Sequence, residues 1–148
     1  NISRSSQLLA KTNQFKFNSK IFSEKELSKM KNRAIVLTFK DKIQNYGIIG
    51  VLILNYKKKN LAIEIENWVM SCRVFSRRLE NFILDYLIKE AKKMKFHKIN
   101  FNLEITKRNK YLQIFLKKSN IKIEEKNKHY SIDISKIKNN DKNYIKII

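Results

Sequence analysis

The chain has 148 residues, 43% of them hydrophobic, with one cysteine, two histidines, two glycines, no proline and a net charge of +20. That length makes one domain able to bury about two thirds of its unfolded surface. A single cysteine excludes an internal disulfide framework and fits a reducing, cytoplasmic setting, and two histidines leave no metal-ligand cluster of recognisable spacing.

No apolar run reaches the roughly 18 residues of a membrane span, and the first residues lack the apolar stretch of a signal peptide. The first residue is Asn rather than Met, which reads as a piece of a longer protein. The lysines are scattered along the whole chain among abundant Asn and Ile, the bias of an AT-rich coding background. The charge therefore argues for a surface that steers in acidic partners rather than for a nucleic-acid site.

Residues 3–16 carry a helical pattern with Leu8, Leu9 and Phe15 on one side. Ser23 followed by Glu26 predicts a capped N-terminus for a short helix to about Met30. Residues 33–40 are rich in β-formers (Ile35, Val36, Leu37, Thr38, Phe39) and predict a buried strand, with a polar loop at 41–46. A second strand at 47–56 contains both glycines, which in a strand mark a bulge or a close backbone approach. After a turn at 57–60 the third strand runs over 61–70, with Ile63 and Ile65 on one face and Glu64 and Glu66 on the other.

Apolar residues at Leu79, Phe82, Ile83, Tyr86, Leu87, Ala91 and Met94 predict a long helix over 77–94. Ile99, Phe101 and Leu103 alternate in a fourth strand, and Leu112, Phe115 and Leu116 line a helix over 109–118. A hairpin at 121–134 closes the domain, followed by a polar tail at 136–148. The expectation is an α+β domain over 1–135 with a mixed, mostly antiparallel sheet and helices on both faces. Its third and fourth strands are parallel through a right-handed crossover.

The strand-to-helix junction at 68–80 is the informative stretch. A strand running straight into a helix aims the first free N–H groups, and the positive end of the dipole, at whatever lies above. Arg73, Arg77 and Arg78 crowd that turn and make it a candidate anion site; the plainer alternative is a connection with solvated arginines. Cys72 is either a thiol activated by these cations or a small buried core residue. Glu66, with Glu64, is either a base on the strand face or a solvated glutamate.

The order of elements resembles the GNAT-type acyltransferases. In that family the third strand of the meander feeds a helix through Arg/Gln-x-x-Gly-x-Gly/Ala, whose amides bind the pyrophosphate of coenzyme A or a phosphopantetheine phosphate. Arg73 matches the first position, and Ser76 and Arg78 stand at the glycine positions. In the family's second core-helix motif Asn109 matches, Asn120 stands for a C-terminal Gly, and Leu116 replaces the tyrosine that often protonates the leaving thiolate. The words at 7–17 (QLLAKTNQFKF), 47–51 (GIIGV), 68–74 (WVMSCRV) and 106–109 (TKRN) are similar to the C-terminal region of FkbH-like proteins. There a haloacid-dehalogenase-like, phosphatase-type domain precedes a GNAT-like domain, and the first strand of the present domain would be truncated or upstream.

The resemblance implies acyl or glyceryl transfer from coenzyme A or from phosphopantetheine on an acidic acyl carrier protein, with no metal. The thioester would lie in an open gap between the third and fourth strands. Met70, Ser71 and Cys72 would meet the pantetheine amides, and Arg73, Ser76, Arg77 and Arg78 its phosphate, with Asn109 in the same motif set. Cys72 and Glu66 are the candidate catalytic groups, and Asn13 and Gln14 either orient a substrate or cap the join to the preceding domain. Loss of the tyrosine and glycines points to the rival, a non-catalytic module that docks the carrier.

Overall fold

The structure is a computed structural model, and it describes residues 1–30, 32–119 and 121–138. Two helices, α1 (Ile2–Lys11) and α2 (Glu24–Lys29), precede three strands, β1 (Ala34–Lys40), β2 (Asn45–Lys57) and β3 (Ala62–Met70). Then come α3 (Leu79–Lys93), β4 (Lys98–Asn102), α4 (Lys110–Lys118), β5 (Ile123–Lys126) and β6 (His129–Asp133). The six strands form one sheet in the order β1-β2-β3-β4-β6-β5. Only β3 and β4 are parallel, joined through α3, as the strand–helix–strand pattern predicts. No helix among the described residues is long and apolar enough to cross a membrane.

Two apolar layers hold the sheet. One packs Leu8, Leu9, Phe22 and Leu27 from the N-terminal helical region on Val51, Ile53 and Val69. The other packs Leu79, Ile83, Leu84 and Leu87 of α3 and Leu112 and Phe115 of α4 on the opposite face. Ser23 caps α2 in a reciprocal box with Glu26, as its spacing predicts.

Three expectations change. The first helix ends at Lys11, not near Lys16, and residues 12–22 form an irregular, bending segment with one bridge, at Lys16. Phe15 and Phe17 alternate into the core at a strand's period of two, and that burial outweighs the helical pattern. Strand β1 is an edge strand that is only half buried: Ile35, Leu37 and Phe39 face the core, whereas Val36, Thr38 and Lys40 point to the other, uncovered face. Of the expected tail, residues 139–148 lie outside the described residues, as does Asn120; Ile137 still packs against the core.

Bulges decide where the sheet opens. Pairing of β2 with β3 steps from Ile53 opposite Asn67 to Leu54 opposite Ile65, which leaves Glu66 as an extra residue. An extra residue bends its strand and sharpens the twist. The parallel β3–β4 ladder ends at the same level, with Ile65 opposite Phe101. Beyond it the two strands diverge, and this is the junction singled out in the sequence.

Candidate functional site

The end of β3 leads through Ser71 into a 3-10 turn, Cys72–Val74, and then into α3. Ser71 anchors the turn by donating its N–H to the Ile49 carbonyl at 2.7 Å, and its hydroxyl accepts from Arg73 Nε at 3.2 Å. Ser76 and Arg78 then adopt left-handed backbone, with φ of 66° and 59°. A residue with a Cβ gives up about 1–2 kcal/mol there. These are the two positions filled by glycine in the motif that the turn resembles, so the chain keeps that backbone shape without the residue that favours it. Among the described residues no hydrogen bond takes the N–H groups of Arg77, Arg78 and Leu79.

The three arginines are not equivalent. Arg77 pairs with Asp41 at 2.8 Å, donates to the Tyr46 hydroxyl, and lies over the rings of Tyr46 and Phe39. Arg73 folds back on Ser71 Oγ and on the Ile48 carbonyl, 3.4 Å away. Arg78 makes no side-chain hydrogen bond or ion pair among the described residues. Its guanidinium is exposed. Ser76 gives its N–H to the hydroxyl of Tyr111, which donates in turn to Glu80.

The gap between β3 and β4 is not open. Residues 15–20 fill it: Phe17 donates to the Trp68 carbonyl and Met70 donates to the Phe15 carbonyl, with Lys16 bridging Val69 antiparallel. On the other side Glu104 donates to the Phe17 carbonyl at 2.8 Å. Buried amides fix the segment. Asn18 donates to the Glu66 carbonyl, and Asn67 to the carbonyls of Asn18 and Lys20. Asn109 donates to the carbonyls of Lys16 and Glu104.

Inside, Phe15 and Phe17 stand 5.0 and 5.4 Å from Trp68, and Phe17 packs on Phe101. The Trp68 indole N–H is buried there without a partner among the described residues. Lys16 donates to the Leu9 carbonyl at 2.6 Å; burial holds its ammonium below the usual lysine range, against the opposing pull of Glu104.

The expected site residues therefore divide. Ser76 and Arg78 adjoin the first turn of α3, with left-handed backbone at both. The Met70 N–H, expected to face pantetheine, is committed to Phe15, and Asn109 is a buried clamp on the gap segment rather than an exposed contact. Cys72 is exposed, which overturns its reading as a buried core thiol. Glu66 is held by Arg33, Asn55 and Lys20. Asn13 and Gln14 lead into the filling segment, and the Gln14 carbonyl accepts from Leu112. Leu116 is partly buried against the core.

Sequence reasoning missed Tyr111 and Glu80, which only the approach of α4 to the turn brings together. It also missed the filling segment, whose signal was the spacing of Phe15 and Phe17. The larger cavity, about 930 Å³, lies elsewhere, between β1, β2 and the α3 residues Leu79, Phe82 and Tyr86.

No protein-family model matches the sequence, and no curated protein matches it. Solved structures do match in shape. The chain is similar to the ribosomal-protein-S18-alanine N-acetyltransferase of Escherichia coli, with a TM-score of 0.62 and 12% identity over 97% of this chain and 93% of that one. An aminoglycoside 6'-N-acetyltransferase solved with coenzyme A gives a TM-score of 0.62 and 14% identity over 90% of each chain. A GNAT-family acetyltransferase from Bacillus anthracis gives 0.56 and 16%, over 78% of this chain and 77% of that one. The α+β domain, with its mixed six-stranded sheet and its parallel β3–β4 pair, has the fold of the GNAT acetyltransferases.

Proposed function

We propose that this domain takes part in acyl transfer, holding the phosphate end of coenzyme A, or of the phosphopantetheine arm of an acyl carrier protein, at the turn over residues 73–80. The carrying observation is the left-handed backbone at Ser76 and Arg78 beside three N–H groups with no partner among the described residues. Backbone donors at a helix N-terminus and one unengaged guanidinium match a phosphate in charge and geometry. Thioester chemistry along β3 then requires residues 15–20 to leave the gap, since they hold the strand's hydrogen-bonding groups. Cys72 is the exposed nucleophile at the turn. Glu66 serves as base only after parting from Arg33.

The words shared with FkbH-like proteins supply the finer reading. The carrier is an acidic protein, the transferred unit is acyl or glyceryl, and a phosphatase-like domain precedes this one in the full-length chain. The second reading is a docking module that receives the carrier without turnover. It is favoured by the filled gap and by Leu116 at the tyrosine position.

Calorimetry with coenzyme A and with a phosphopantetheinylated carrier tests both readings. Binding is expected, weakened about tenfold by Arg78→Ala and less by Arg77→Ala, whose charge is already paired. If neither ligand binds, both readings fail; carrier binding without turnover selects the docking module.

A further inference from the structure

Left-handed backbone at Ser76 and Arg78 is unfavourable for residues with a Cβ, so the surroundings must impose it. The contact that reaches in comes from another element. Tyr111, on the first turn of α4, stacks on Phe75 with ring centroids 3.7 Å apart and planes within 5°. Its hydroxyl accepts the Ser76 N–H at 3.1 Å and donates to Glu80 Oε1 at 2.6 Å.

We propose that Tyr111 is the positioning residue of the turn: its ring fixes Phe75, its hydroxyl fixes Ser76, and Glu80 orients that hydroxyl. The direction of each hydrogen bond carries the assignment. Glu80 accepts the hydrogen bond of the phenol O–H, which leaves an oxygen lone pair on Tyr111 for the Ser76 N–H. Glu80 is 5% exposed and its second oxygen, Oε2, is buried with no partner among the described residues.

A buried carboxylate with one oxygen unpaired is costly, and its recorded side-chain hydrogen bond is the one to Tyr111. Burial, followed by the bond to Glu80, pushes the phenol above the usual tyrosine range, so the proton stays in place at neutral pH. With Ser76 N–H held by Tyr111, the turn presents the N–H groups of Arg77, Arg78 and Leu79 to a ligand. The binding consequence rests on the phosphate reading above; the mechanical one does not.

Four chains test it: the unaltered protein, Tyr111→Phe, Ser76→Gly, and the two combined. Tyr111→Phe keeps the stacked ring and removes the hydroxyl. Amide exchange at Ser76, whose N–H loses its acceptor, should quicken about tenfold, and the Kd for coenzyme A should rise about fivefold. Glycine accepts the left-handed backbone unaided, so on the Ser76→Gly background the same change should move the Kd less than about twofold. Glu80→Ala should behave as Tyr111→Phe does, and Glu80→Gln, which keeps an acceptor, should not. Equal losses on both backgrounds, or unchanged exchange at Ser76, overturns the assignment. If the unaltered protein does not bind coenzyme A, the phosphate reading fails, and the exchange data still judge Tyr111.

Discussion

A Cβ built on Gly50 would stand 2.8 Å from the Val69 carbonyl oxygen, 2.9 Å from Leu37 Cδ1 and 3.3 Å from Met70 Cγ. The nearest of these is backbone and cannot swing aside. Gly50→Ala should therefore cost about 2 kcal/mol or more through overpacking, because it pushes β3 at the junction where the sheet opens. Gly47 has open space around it but a φ of 64°, so Gly47→Ala should cost about 1 kcal/mol through the backbone alone. Urea unfolding ranks the two, and the reverse order would refute the packing account. Asp41 offers a second check. Backbone N–H bonds from Gln44 and Ile43, and then Arg77, hold its carboxyl below the ordinary carboxylate value. A depressed folded value means the contribution is present above about pH 4 and lost as the pH falls through the folded pKa. Titration should free Arg77 from Asp41 in that acid window, seen as faster exchange of its guanidinium protons, and Asp41→Asn should abolish the step.

At the scale of elements, the fold was legible where local signals and burial agree. The Ser23 box, the apolar stripe of α3 and the strand–helix–strand unit at 61–104 each appear as their spacing predicts. The filling segment was hidden because Leu8, Leu9 and Phe15 also satisfy a helical pattern, and only the tertiary slot beside Trp68 pulls Phe15 and Phe17 into strand geometry. Asn109 was legible as a motif residue and illegible in role. What it clamps, the carbonyls of Lys16 and Glu104, lies 93 and 5 residues away. Asn109→Ala removes a buried side chain and leaves those carbonyls and the Thr106 N–H, which are partly buried, without their partner. It should cost about 2–3 kcal/mol. The Glu104 and Met70 amides, bonded to residues of the filling segment, should then exchange ahead of global unfolding. Exchange of these amides only with the whole domain would show that the segment is fused to the core and does not open by itself.

For the whole molecule, the question is whether the domain works with its gap filled. A net charge of +20 attracts any acidic partner toward the surface whatever the gap does, an acidic carrier of the proposed kind included. Docking alone therefore does not separate transfer from presentation. Lys16 and Val69 do, because they face each other as an antiparallel pair flanked by the Phe17–Trp68 and Met70–Phe15 hydrogen bonds. Residues opposed in that way have Cα atoms about 4.5 Å apart, at the near end of the range a disulfide spans. With Cys72→Ser to remove the exposed thiol, Lys16→Cys and Val69→Cys should cross-link on oxidation and hold the segment in place. The turn at 73–80 is not touched by this bond, so coenzyme A or carrier affinity should stay within about twofold. Turnover of a thioester should disappear in the oxidised form and return on reduction if acyl transfer needs the gap. Because Cys72 is itself a candidate acceptor, the comparison is made between the oxidised and reduced states of one variant. Turnover that ignores the cross-link would place the chemistry outside the gap. Binding that persists with no turnover in either state, and in the chain that keeps Cys72, would leave the domain as a carrier dock built on an acetyltransferase fold.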